Sequence, residues 1–188
     1  MNTEPGIDAT FEQPRDQRMA ELATDIAGAA YLRGDFVLSS GLRSNYYFDK
    51  YLFETKPSIL RRVAAMLVDM VPADVDRIAG PELGAVALAT GVSLASGLPF
   101  VIIRKAGKEY GTTRLVEGEL FPGDRVLLIE DVVSSGAQAI RAAEQIGRAG
   151  AEVAGIVAVI DREQGGAENI AAQGFHYQAL FTRTDLGL

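Results

Sequence analysis

Residues 126–140 read VLLIEDVVSSGAQAI, and this stretch decides the fold. Four apolar residues without polar alternation mark a strand covered on both faces, the habit of a parallel sheet with helices on either side. Two adjacent carboxylates, Glu130 and Asp131, close the run. Val132 and Val133 follow, and Ser134, Ser135 and Gly136 turn the chain into a helix that begins near Ala137 and Gln138. In an open parallel sheet, ligands bind beyond the carboxyl ends of the strands. Serine hydroxyls and backbone N–H groups at a helix start are placed there to wrap an anion. The carboxylates suit sugar hydroxyls, or a metal ion accompanying a phosphate. Anion cradle and carboxylates together describe a sugar-phosphate site. The plainer alternative is an acidic strand end followed by a serine helix cap.

Working outward, the same grammar repeats. DRIAG (76–80), FVIIR (100–104), VAGIVAVID (153–161) and HYQALFT (176–182) read as strands, and 83–96, 135–149 and 166–173 as the helices between them. The fold class is α/β, doubly wound, with a mainly parallel sheet. Upstream, the apolar spacing of Met19, Leu22, Ala23, Ile26, Ala29, Ala30 and Leu32 predicts a helix over 16–33, ended by Gly34. Residues 36–41 and 44–51 read as extended segments around Gly41, and Pro57 opens a helix that stops near Pro72. Residues 1–15, with Pro5 and Pro14, read as a flexible tail. The expected organisation is that tail, then one domain over 16–188, made of an N-terminal hood over 16–55 and a core over 56–188. About twenty residues separate the strand at Arg104 from that at Arg125. Loops of that length are usually lids or disordered, and a mobile hairpin-like loop is the preferred reading.

Composition limits the chemistry. The 188 residues carry 25 acidic and 18 basic side chains, a net charge of −7, with no Cys and one His. Disulfides, thiol nucleophiles and thiolate or multi-histidine metal sites are thereby excluded. The acidity argues against a general nucleic-acid binder. The N-terminal stretch has no apolar core of the kind a signal peptide needs, and no apolar run spans a membrane, so a cytoplasmic location is the default expectation. There is no GxxxxGK[ST] and no GxG, so nucleotide-loop motifs do not apply.

The pattern of apolar run, two acids, Val, a spacer, two hydroxyls and Gly resembles the phosphoribosyl pyrophosphate (PRPP) signature of type I phosphoribosyltransferases. The resemblance implies that Glu130 and Asp131 contact ribose hydroxyls, that Ser134, Ser135, Gly136, Ala137 and Gln138 hold the 5′-phosphate, with Val132 and Val133 lining the same site, and that Mg²⁺ rides on the pyrophosphate without direct protein ligands. RKAGKEYGTTR (104–114) carries a local charge of +3. It resembles the lid of orotate phosphoribosyltransferases, matched at Arg104, Lys105, Lys108 and Gly111, with Tyr110 where that family often has His. The resemblance implies that Lys105 and Lys108, assisted by Arg104, act on the donor with Tyr110 beside it, and that the lid serves the neighbouring subunit of a homodimer. FVLSSGLRSNYYFDKYLF (36–53) is similar to that family's N-terminal substrate segment, implying Tyr47 and Phe48 beside orotate, together with Ser134 and Arg162. The family's Lys in this segment falls on Ser39, with Lys50 a nearby candidate to compensate. In AGPELGAVALAT (79–90), which resembles the pyrophosphate loop, Gly84 stands where many members have Lys. Backbone amides near Leu83 and Gly84 would then serve. The implied reaction joins phosphoribosyl to orotate, giving orotidine 5′-phosphate and pyrophosphate. Transfer to another nucleobase, or PRPP sensing without catalysis, are the rival expectations.

Overall fold

The computed structural model describes residues 13–37, 43–105 and 115–188. Among them, a six-stranded sheet has the order β5–β4–β3–β6–β7–β8. Here β3 is Arg77–Pro81, β4 Phe100–Ile103, β5 Val116–Glu117, β6 Arg125–Val133, β7 Glu152–Asp161 and β8 Tyr177–Thr182. Every neighbouring pair is parallel except β4 with β5 at the edge. From β3 the chain winds one way to β4; from β6 it winds the other way to β7 and β8. The topological switch therefore lies between β3 and β6, which is where an open α/β sheet forms its ligand crevice.

The unbroken apolar runs are explained by two cores, one on each face. Along β6, Leu127 and Ile129 join the core that holds helices α1 (Arg15–Ala30), α3 (Pro57–Val68) and α4 (Gly84–Ser96). Val126 and Leu128 join the other, under α5 (Ala137–Arg148) and α6 (Gly166–Ala172). The alternation continues beyond the acids, where Val132 packs on the first core and Val133 is buried in the second. The strand thus runs three residues past Glu130, its expected end, and the valines lock both faces just before the turn.

The N-terminal region departs from expectation. Helix α1 stops at Ala30 rather than continuing to residue 33. Tyr31 turns extended (φ −83°, ψ 110°), and Tyr31–Val37 form β1, which takes in Gly34 at a break in register between Arg33 and Phe36. Cross-strand pairing explains the switch: β1 lies antiparallel to β2 (Arg43–Phe48), Tyr31 opposite Phe48, and Tyr31 stacks on Tyr46 with ring centroids 5.4 Å apart. The second extended segment ends at Phe48, not at 51, because Lys50 caps a short helix α2, Tyr51–Glu54. The Phe53 side chain of that turn is fully buried and anchors it in the core. The flanks of the 104–125 gap close as a hairpin would: Ile102 and Ile103 pair with Glu117 and Val116, and the Arg104 N–H donates to the Leu115 carbonyl at 2.8 Å. Lys108, Tyr110 and Gly111 of the lid, Ser39, and residues 1–12 lie outside the described residues.

Candidate active site at the strand switch point

At the switch point, the carboxyl ends of β3 and β6 bring together residues distant in sequence. Glu130 and Asp131 are each only 2% exposed. Lys50, 81 residues earlier, reaches across from the β2–α2 corner and forms an ion pair with Asp131 Oδ2. Gly84, the first residue of α4, lies beneath that pair: a Cβ built on it would overlap Asp131 Oδ2 and come within 2.9 Å of Lys50 Nζ. Glu54, one turn after Lys50, is 2% exposed and completes the group. Sequence reasoning missed Glu54; it sits in a short polar helical turn that carries no motif.

The electrostatics of this cluster resolve a difficulty, since bare carboxylates would repel a phosphorylated ligand. Burial, aided by the neighbouring Asp131 charge, pushes the Glu130 carboxyl up to about 8 and the Glu54 carboxyl up to about 8. Both are protonated at neutral pH. Burial alone would lower the Lys50 ammonium, but its ion pair and hydrogen bond with Asp131 outweigh that and hold it above its usual value. The centre therefore presents one carboxylate matched by one ammonium and two neutral acids. Glu130 Oε1 and Glu54 Oε1 are buried without a hydrogen-bond partner. Such orphaned acceptors are costly unless something completes them.

The anion loop stands next to this centre. Gly136 has φ +78°, so glycine is needed there, and it caps α5, whose first-turn N–H groups have no partner within the helix. The loop is braced from α6. The Asn169 side-chain amide donates to the Ser135 carbonyl at 3.0 Å, and a Cβ on Gly166 would overlap Val133 and Ser134. The Arg162 N–H donates to the Val133 carbonyl at 2.8 Å, tying the end of β7 to the same loop. The Asp161 carboxylate accepts from the Glu163 N–H at 2.7 Å and fixes the turn that projects Arg162. Arg162, Phe48 and Tyr46 line one narrow crevice. Tyr47 points to the other side of β2, where it lies against Phe36, 5.5 Å between centroids. The strand period of two makes this separation unavoidable.

On the far side of the centre, Lys105 is exposed, and its backbone N–H donates to Glu82 Oε1 at 2.7 Å. Lys105, just after β4, is thereby tied to the loop ahead of α4, in which Leu83 is 68% exposed and the Glu82–Leu83 peptide is cis. Lys105 and Lys50 both act on Glu130 by favouring its charged form, against burial. Arg104 lies 3.5 Å from Glu117. Gln138 lines a crevice of about 190 Å³ together with Arg104, Lys105 and Arg141.

Comparison with known proteins agrees with this geometry. The phosphoribosyl transferase domain family matches residues 53–176. The orotate phosphoribosyltransferase of Pyrococcus abyssi is 48% identical over 156 residues, covering 81% of this chain and 86% of that protein. The chain belongs to the orotate phosphoribosyltransferases. Its fold is theirs as well. The Mycobacterium tuberculosis H37Rv orotate phosphoribosyltransferase in complex with Fe(III) dicitrate superposes with a TM-score of 0.82 at 33% identity, over 90% of this chain and 99% of that one. The same enzyme in complex with PRPP gives 0.78 at 31% identity, over 90% and 99%. Type I phosphoribosyltransferase architecture, expected from residues 126–140, is what the sheet order and these neighbours display.

Proposed function

We propose that this chain transfers phosphoribosyl from PRPP to orotate, forming orotidine 5′-phosphate and pyrophosphate in pyrimidine biosynthesis. The observation that carries the reading is the meeting, at the β3/β6 switch point, of a braced anion loop, two buried acids and the start of α4. Family membership supplies the base and the donor.

In this reading the 5′-phosphate lies in the Ser134–Gly136 turn, held by hydroxyls and the first N–H groups of α5. The ribose hydroxyls lie against Glu130 and Asp131. Glu130, protonated, can donate as well as accept, and its orphaned oxygen gains a partner from a sugar hydroxyl. Orotate stands in the crevice of Phe48 and Arg162, whose planar fork fits a carboxylate. In the transfer, the bond from the anomeric carbon to the pyrophosphate oxygen breaks and the bond to the ring nitrogen of orotate forms. The electron pair leaves with pyrophosphate, and the ribose passes through a cationic state. Charge therefore grows on the leaving group, where preplaced donors and cations act most strongly. Leu83 and Gly84 offer the N–H groups of α4, while Lys105 and Lys108 approach from the lid with Tyr110 beside them. Lid closure excludes water that would hydrolyse the donor.

No group of three His, Cys, Asp or Glu able to hold a metal occurs among the described residues. In this reading the ion would be carried by the donor's own oxygens and water, as Mg²⁺ prefers. When bound, Mg²⁺ neutralises part of the pyrophosphate charge. A homodimer whose lids exchange between subunits, and a cytoplasmic location, belong to the same reading; no described helix is long and apolar enough to cross a membrane.

A pyrophosphate-release assay with PRPP and orotate, with and without Mg²⁺, tests the proposal. Mg²⁺-dependent release with orotate is expected. Release with uracil or a purine but not orotate would move the assignment to another base, and PRPP binding without release would make the chain a sensor.

A further inference from the structure

The loop ahead of α4 contains no cation: between Arg77 and Arg104 there is neither Lys nor Arg. Yet an ammonium stands over its first helical residue, delivered from elsewhere in the chain. Lys50 Nζ lies 2.9 Å from the position a Gly84 Cβ would take, and the Gly84 backbone has no positive φ that would call for glycine. Glycine is there for clearance, and what it clears is the Lys50–Asp131 pair. The lysine is firmly mounted. Its carbonyl accepts from the Phe53 and Glu54 N–H groups at 3.1 Å, and Phe53 is fully buried. The two partners differ in access: the Lys50 side chain is 30% exposed and that of Asp131 3%. An ammonium has three donors. Lys50 is thus a half-open cation at the head of a 13-residue helix whose first N–H groups also favour an anion.

Building on the phosphoribosyl transfer reading above, we propose that Lys50 is a pyrophosphate-binding residue of this site, and that the arriving donor draws its ammonium from Asp131 onto the pyrophosphate, releasing Asp131 to the ribose hydroxyls. The exchange leaves Asp131 with a hydrogen-bond partner at each stage. Before binding, the buried carboxylate has a counter-ion and is not left bare, a state that would be strongly unfavourable. After binding, the sugar hydroxyls replace that partner while the ammonium meets a stronger anion. Lys50 is then a residue contributed by the β2–α2 corner to a site otherwise built by strand ends, which couples donor binding to the element carrying Phe48.

Calorimetric titration with inorganic pyrophosphate, on the full chain and on Lys50→Met and Lys50→Arg, tests this. Lys50→Met is expected to weaken pyrophosphate binding at least tenfold and to raise KM for PRPP by a similar factor. KM for orotate should stay within twofold, and Lys50→Arg should recover most of the loss. Pyrophosphate affinity within twofold of the parent in Lys50→Met would overturn the proposal. Should that variant fail to fold, the unmodified protein answers through acetylation footprinting. Saturating pyrophosphate is expected to slow modification of Lys50 while Lys56 reacts at an unchanged rate; an unchanged Lys50 rate would overturn it. A parent protein that binds no pyrophosphate and releases none would instead remove the transferase reading on which this inference stands.

Discussion

The backbone N–H of Lys105 donates to Glu82 Oε1 at 2.7 Å, so the chain leaving β4 is fastened to the loop that starts α4. This is a solvent-exposed bond from a main-chain donor to a side-chain acceptor, a class worth about 0.5–1.5 kcal/mol. Glu82→Ala removes it without touching the packed interior, since Glu82 is only half-buried. At about 1.4 kcal/mol per tenfold, kcat/KM for PRPP is expected to fall by up to roughly tenfold, and Tm by no more than a few degrees. Steady-state kinetics beside a thermal melt check it; unchanged kcat/KM would show that the chain leaving β4 needs no such tether.

Glu54 makes stability depend on pH. Its folded value, about 8, lies above the ordinary 4.5, so the folded protein holds a proton that the unfolded chain gives up. Stability from this group is full below pH 4.5 and is lost as pH rises to about 8. Glu130 adds to the loss over the same range. Glu54→Gln keeps the shape and removes the titration. Its Tm is expected to decline less than that of the parent between pH 6 and pH 9. For a chain of this length about 2–4 °C accompanies each kcal/mol, which a series of melts resolves. Parallel pH profiles for parent and variant would show that Glu54 is ionised in the fold.

Two glycines separate clearance from tolerance. A Cβ on Gly166 would overlap Val133 and the Ser134 carbonyl, whereas one on Gly147 meets nothing within 4 Å. Gly166→Ala is expected to cost about 1–3 kcal/mol through overpacking and to raise KM for PRPP, because the displaced atoms form the anion loop. Gly147→Ala, in α5, should be neutral or stabilising by up to about 1 kcal/mol. Chemical denaturation of both variants checks the pair, and equal effects would contradict the bracing of the loop by α6.

The legibility of this site followed sequence distance. Val126 to Gly136 announced a buried strand, an acidic end and a cradle because all the needed chemistry lies within one strand and one turn. Strand β1 was hidden because Gly34 punctuates a helix as readily as it sits in a strand; the deciding partner, Tyr46, is twelve residues away. Lys50 was visible as a lysine near an aromatic run, but its reach to Asp131 depends on the β2–α2 corner and on the empty space at Gly84. Glu54 left no sequence signal, since burial beside the Asp131 charge gives it its character. Tyr47 and Phe48 looked equivalent as neighbours, and the pleat then sent them to opposite faces.

In the proposed reading, Arg162 would separate base recognition from donor recognition. Its backbone is fixed by the Val133 carbonyl while its side chain lines the Phe48 crevice. Arg162→Ala is expected to raise KM for orotate by roughly 10–100-fold, as loss of a charge-assisted contact worth about 1.5–3 kcal/mol requires. KM for PRPP should change little. Arg162→Lys should recover only part, because an ammonium cannot reproduce the fork. Equal increases for both substrates would place Arg162 outside the base pocket.

The same variant tests the exchange of lids between subunits. If Lys108 serves the neighbouring site, a heterodimer of Lys108→Ala and Arg162→Ala protomers contains one site with both lesions and one with neither. In a two-fold dimer the two sites are otherwise equivalent. Random reassociation of equal amounts makes half of the dimers mixed, so about a quarter of the parent's sites are restored, read at orotate well below the variants' KM, where both variants alone turn over slowly. If each lid closes over its own subunit, every site in the mixture keeps one lesion and no activity returns. Unfolding and refolding the two variants together, against each refolded alone, distinguishes the outcomes by turnover.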